Sequence, residues 1–422
     1  MKTRIIQTEP EAPAKSTEGD SRAATRRIDG WKASLRRLTH RRSSERRSRN
    51  AILVAAVLGC LALALVGTAA ASPSQGNERQ DLQRDLDALV AGGAPGAILF
   101  VRGPHGEARL TSGLADIAES TQMQPNDRYR IASLTKSYTA TVVLQLVAEQ
   151  KLTLGDSVEQ WLPGVVPNGA NITVRMLLNH TSGIFNYEFE PRVFEPYFNG
   201  DFGFYWSPLE LIAFANEHDP LYPPGETSES TYSNTNYAIL GLIVKAVTGS
   251  TIEAETRSRI FKPLHLAATT YPVAETTIEG KHAHGYFLFG APPLVDVTEF
   301  SPSISTAGGA IVSTVADVAR FYRALFEGRL LPPNLLAAME TTIPSGGDLG
   351  QRYGLGVEEF ATQCGTAWGH SGAFPGYWNY AFTSADGRHQ AVLMTNIDPT
   401  ATTPVLRAGF YDLLFKSFCS TS

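Results

Sequence analysis

Ser133 and Lys136 stand three residues apart in Ile131-Ala132-Ser133-Leu134-Thr135-Lys136, at the head of an apolar stretch that runs to about Gln150. Positions three apart share one face of a helix, so the hydroxyl and the amine should be neighbours one turn apart. No charged residue intervenes between Lys136 and Glu149, the composition of a helix surrounded by protein. Burial disfavours an ammonium and lowers its pKa, as a lysine needs if it is to take a proton from a serine near neutral pH. A serine at a helix start also has unpaired backbone N–H groups and the positive end of the helix dipole beside it, where an oxyanion would form. The chemistry is nucleophilic attack on a carbonyl carbon. Alone, Ser-x-x-Lys recurs by chance as a capping serine and a surface lysine.

Two later stretches decide between these readings. Tyr232-Ser233-Asn234 follows Pro223-Pro224-Gly225 and precedes a helix. From such a loop a phenol and an amide two residues apart can enter one cleft, Tyr232 to relay a proton and Asn234 to bond Lys136 or a substrate amide. His370-Ser371-Gly372 lies on a strand rich in small residues. There a glycine admits substrate backbone against the strand edge, and the Ala373 N–H can complete an oxyanion hole with that of Ser133. The structural alternatives are a helix-capping turn and a satisfied core histidine.

The elements that must position these groups fall into three blocks. Glu78 to Ala91 reads as an amphipathic helix closed by Gly92-Gly93, then Gly96 to Val101 and Ala108 to Leu114 as paired strands. Helices are expected at 172–179, 208–216, 236–247, 252–261 and 314–326, with an aromatic-rich irregular stretch over 185–206. After Gly350 the period changes to that of strands, at 354–359, 367–369, 377–383 and 390–396, before a closing helix over 404–418. Strands at both ends with helices between predict an α+β fold: one antiparallel sheet assembled from the two chain ends, with a mostly helical lobe inserted.

Three motifs in this order resemble those of the penicillin-recognising serine enzymes. Tyrosine in the second and histidine in the third make the chain most similar to the secreted D-alanyl-D-alanine carboxypeptidases of the class C β-lactamase branch. The resemblance spans about Leu82 to Cys419 and includes Leu177 to Gly183, Tyr232 to Tyr237, Tyr353-Gly354-Leu355-Gly356, Gly369 to Gly372 and a C-terminal cysteine pair. It implies an acyl-enzyme at Ser133, with Lys136 as base, Tyr232 as proton relay and His370 orienting Tyr232. Asn234, Ser371, Gly372 and Ala373 would bind substrate, with no metal or cofactor. The implied substrates are small peptides, including cell-wall peptide, amides or esters, with β-lactams as acylating inhibitors. One departure bears on substrate. Where the family places a carboxylate-clamping arginine, this chain reads Val357-Glu358-Glu359, and Glu358 would repel a carboxylate if it faced the cleft. The carboxypeptidase remains the function that the resemblance implies, and an esterase or D-amino-acid amidase of the same fold, which needs no carboxylate clamp, is the alternative that this departure favours. His370 in the place of a lysine argues against a β-lactamase, and the intact Ser133, Lys136 and Tyr232 against a binding module that has lost turnover.

Composition bounds the rest. The 422 residues, 43% hydrophobic and 18% charged, can bury a large core. Residues 1–50 hold 14 Lys and Arg against 6 Asp and Glu, which leaves −13 for the remainder of a chain whose total is −5. An acidic remainder does not favour nucleic acid as a partner. The basic tail abuts an uncharged apolar run, 51–71, the pattern of an export signal or of a membrane anchor, and both place everything after the 72–78 linker outside the cytoplasm. Cys364 and Cys419 then lie in an oxidising compartment and argue for one disulfide, against the alternative of two free buried thiols. His282 and His284 alternate on a strand without a nearby ligand cluster and make a weak zinc pair.

Overall fold

The computed structural model describes residues 75–104, 106–289, 292–347, 349–397 and 403–420. The basic tail, the apolar run and the linker as far as residue 74 lie outside the described residues. A helix, α1 (Gln75–Ala91), leads into strands β1 (Gly96–Gly103), β2 (Gly106–Asp116) and β3 (Thr121–Gln122). Six more strands come from the C-terminal third: β4 (Ile343–Pro344), β5 (Arg352–Tyr353), β6 (Glu358–Thr362), β7 (Gly365–Phe374), β8 (Tyr377–Thr383) and β9 (Gln390–Thr395). They form one antiparallel sheet in the order β3-β2-β1-β9-β8-β7-β6-β5-β4, so the expected joining of the two chain ends is observed, with Leu99 opposite Leu393.

The sheet is covered on both sides, which is why β1 reads as an uninterrupted apolar run. Alternate side chains point to opposite faces. Ile98 and Phe100 enter the core of the helical lobe, whereas Ala97, Leu99 and Val101 pack against α1 and the last helix, α5 (Pro404–Ser420). Trp378 of β8 stacks on Phe410 of α5 at a ring separation of 3.8 Å. The inserted lobe holds α2 (Thr135–Ala148), α3 (Asn234–Thr248) and α4 (Val315–Phe326). Eleven of the fourteen residues of α2 are buried, in line with its uncharged sequence.

Several bounds differ from those expected, each for a local reason. The strand expected at 354–359 is a turn followed by β6, because Gly354 donates its N–H to the Val357 carbonyl and Gly356 takes the left-handed φ of 80°. The strand expected at 367–369 runs from Gly365 to Phe374, since small residues pack well where a neighbour comes close. At 172–179 the helix is confined to Val174–Leu178, with Thr173 capping it.

Cys364, in the β6–β7 turn, is joined to Cys419 of α5 by a 2.05 Å disulfide, so the bridge expected from the cysteine count is present. It spans 55 residues of chain, for which the loop-entropy relation gives roughly 4 kcal/mol. Reduction, or Cys419→Ser, should therefore lower the free energy of chemical unfolding by about that amount; an unchanged midpoint would mean that packing alone holds the hairpin to α5. The second constraint is Gly372. A Cβ there would stand 2.7 Å from the Ile131 carbonyl oxygen and 2.9 Å from Leu134 Cδ1. Gly372→Ala should cost about 1–3 kcal/mol in the same denaturation experiment, and a neutral result would show that the strand can retreat.

Candidate active site

Ser133 lies on a 3₁₀ turn, Ala132–Leu134, that runs straight into α2. Ala132 adopts a φ of 53°, a left-handed conformation that costs an alanine roughly 1–2 kcal/mol. Such strain persists where surroundings over-determine the backbone, and functional sites are where it gathers. The turn leaves Ser133 partly exposed between buried Ala132 and Leu134. One turn on, Lys136 has no exposed surface.

The Lys136 Nζ lies 3.0 Å from Ser133 Oγ, 2.6 Å from Asn234 Oδ1 and 2.9 Å from the Gly308 carbonyl oxygen. The last two atoms can only accept, so two Nζ protons are committed to them. The third position faces Ser133. An ammonium donates there; a neutral amine offers a lone pair to the Ser133 O–H instead. Burial drives the Lys136 pKa down to about 7, against the charges of Glu188 and Glu358, which raise it. Both forms are therefore accessible near neutrality. Gly308 is a glycine for a steric reason: a Cβ would meet Lys136 Nζ at 3.2 Å and Asn234 Oδ1 at 3.3 Å.

Tyr232 comes from the loop before α3, and Asn234 is the first residue of that helix. Lys136 Nζ sits 4.7 Å from the Tyr232 ring centroid. Burial pushes the Tyr232 phenol well above its ordinary pKa, only partly offset by a hydrogen bond with the Ser133 hydroxyl. Tyr232 therefore remains a phenol and can donate a proton, while Lys136 is the group able to accept one.

The third motif differs from expectation in three respects. Beyond Gly369, the partner of Glu358, no residue of β6 pairs with β7. Side chains take over there. The Ser371 N–H donates to Glu358 Oε2 at 2.5 Å and its hydroxyl to Oε1 at 3.1 Å, while His370 Nδ1 bonds the Ser371 carbonyl oxygen at 2.5 Å. Glu358 is thus buried, 3% exposed, and does not face the cleft as a repelling charge; the Ser371 hydroxyl is turned to it instead of towards a substrate. His370 does not hold Tyr232. Its Nδ1 must carry the proton to meet a carbonyl, and burial disfavours a second proton on the ring, so Nε2 accepts from the Tyr353 hydroxyl at 2.9 Å, and the Tyr232 ring is 6.3 Å away. Gly372 admits the Ser133 turn, not a ligand. Residues two apart on a strand aim their N–H groups the same way, so the exposed Ala373 presents its N–H on the uncovered edge beyond Ser371, where an oxyanion donor is needed.

Sequence reasoning passed over Glu188, which burial holds above the ordinary carboxylate pKa against the attraction of Lys136 and hydrogen bonds from Asn234 and Asn186. Glu188 is one of four acids in the aromatic stretch 185–206, with Glu190, Glu195 and Asp201, and nothing in its spacing singles it out. The Gly308 carbonyl left no signal. His282 and His284 stack at 5.1 Å, and His284 bonds Asp296 at 2.7 Å; among the described residues no group of three or more His, Cys, Asp or Glu is arranged to hold a metal ion.

Comparison with known proteins agrees with this geometry. The Beta-lactamase family model matches residues 82–414. A putative penicillin-binding protein PbpX of Bacillus subtilis is 30% identical over 325 residues, 76% of this chain and 75% of that protein. Protein flp of Staphylococcus aureus is 34% identical over 236 residues, 52% of this chain, a match that spans 44% of its own length. The crystal structure of a D-stereospecific amidohydrolase from Streptomyces sp. superimposes with a TM-score of 0.73 at 36% identity, covering 81% of this chain and 99% of that one. A match over most of the chain, in the fold and with the three motifs in one cleft, means that this protein belongs to the Beta-lactamase family of serine hydrolases.

Proposed function

We propose that the protein is an extracytoplasmic serine amidase that acts through an acyl-enzyme at Ser133 on small amides with a free α-amino group, of the D-amino-acid amide class. Neutral Lys136 takes the Ser133 proton as Oγ attacks the carbonyl carbon. The oxyanion is met by the N–H groups of Ser133 and Ala373. Collapse breaks the C–N bond, and the departing amine takes the Tyr232 proton, which the Lys136 ammonium replaces. Water then attacks the ester by the same groups in reverse, releasing the acid and Ser133.

The observation that carries amide over carboxypeptidase chemistry is the charge around Ser133. Glu188 is half-buried, and Lys136 and a hydrogen bond from Asn234 favour its anionic form against burial, so its exposed part can meet an α-ammonium. Val357-Glu358-Glu359 supplies no cation for a terminal carboxylate. The likeness to a D-stereospecific amidohydrolase supports the same choice. The basic tail, the apolar run 51–71 and the disulfide support export, as a secreted or an anchored protein.

D-phenylalanine amide should be hydrolysed about 10–100-fold better in kcat/KM than its N-acetyl derivative, the worth of one charged hydrogen bond. Preference for an N-acylated peptide ending in D-Ala-D-Ala would favour the carboxypeptidase instead. Ser133→Ala should abolish both turnover and covalent labelling by a fluorescent penicillin; persistent turnover would remove Ser133 from the mechanism. Because the base must be unprotonated, acylation by benzylpenicillin should rise about tenfold per pH unit below the Lys136 pKa of about 7 and level off above it. A flat profile between pH 5 and 7 would exclude Lys136 as the base.

A further inference from the structure

His180 is buried without exposed surface and no step above uses it. Its backbone takes a left-handed φ of 59°, and its carbonyl oxygen accepts the Thr231 N–H at 2.9 Å. Its Nδ1 accepts the Ser233 N–H at 3.2 Å and lies 3.0 Å from Asn236 Nδ2. A backbone N–H can only donate, so Nδ1 is unprotonated and the ring neutral. Burial, with the charge of Lys136 nearby, holds its pKa well below the ordinary histidine value. The ring packs on that of Tyr232 at a centroid separation of 4.5 Å and on that of Tyr353 at 4.7 Å. One residue thus fixes the backbone on both sides of Tyr232 and the face of its ring.

We infer that His180 is a positioning residue that sets the Tyr232 hydroxyl where it can deliver a proton to the departing nitrogen. The inference rests on the serine-amidase reading. It makes a distinction that a purely structural role does not. An amide nitrogen cannot leave unprotonated, whereas p-nitrophenolate can, so displacing Tyr232 slows acylation by the amide and spares acylation by the activated ester.

His180→Phe keeps a ring but sets carbon against two N–H donors. It should lower kcat for D-phenylalanine amide by about 10²-fold, the cost of roughly 1 Å of misplacement, with KM nearly unchanged, while the pre-steady-state burst of p-nitrophenolate from the matching ester, which reports acylation alone, slows less than about tenfold. His180→Asn, whose amide oxygen can stand in for Nδ1 and which tolerates φ above zero, should recover most of the loss. In a Tyr232→Phe background, which removes the hydroxyl being positioned, His180→Phe should add little. Should His180→Phe not fold, His180→Gln reads the same ratio, since its longer amide misses the Nδ1 position. Equal losses on amide and ester, no loss on either, or full additivity with Tyr232→Phe would overturn the inference. If the parent protein cleaves the ester but no amide, the amidase reading falls, and the same variants are then compared on p-nitrophenyl and ethyl esters, whose leaving groups differ in the same way.

Discussion

The site depends on an amine kept out of water. Lys136 would be an unreactive ammonium at the surface; enclosed by α2, α3 and the Gly308 backbone, it retains three polar neighbours and no solvent. Desolvation penalises the charged form, and the two fixed acceptors stop that penalty from becoming an unpaired buried donor. Glu188 and Glu358 pull the other way. The balance leaves a base poised near neutrality beside a phenol that burial keeps protonated, a division of acid and base roles between two groups set by environment alone.

The cleft edge follows a related logic. A sheet edge exposes unpaired donors and acceptors, and here β6 diverges so that β7 loses its neighbour next to the nucleophile. Glu358 and His370 supply the missing acceptor and donor from their side chains, and Tyr353 holds His370 in turn. Residues that the motif pattern marks for substrate contact are therefore partly occupied in finishing the sheet. What remains for a ligand on that edge is the backbone at Ala373, whose side chain carries no information.

The fold and the three motifs were legible because both are written in local pattern. Uninterrupted apolar or uncharged runs marked β1 and α2, and Ser133 with Lys136 needed only helical spacing. His370 was misassigned for the opposite reason: its partner Tyr353 comes from a separate strand, and nothing in the sequence ranks Tyr353 above Tyr232 as its neighbour. Glu358 was legible as an anomaly but its direction was not, since whether a strand residue faces cleft or core depends on where the strand starts, and Gly356 delays that start. Glu188 and Gly308 act through tertiary proximity, the backbone carbonyl of Gly308 leaving no trace in its residue type.

The sheet has a further consequence in time. β1 finds its second neighbour in β9, nearly three hundred residues later, with Ala97 opposite Thr395. Pairings of such separation pay the loop-closure entropy late and make for slow folding. During synthesis the amino-terminal hairpin stays half-finished until almost the whole chain has emerged, and α1 cannot find the α5 surface that covers it. The polypeptide thus has to be kept from aggregating for most of its elongation, a condition that a chain handled in the unfolded state throughout its manufacture would meet without added cost.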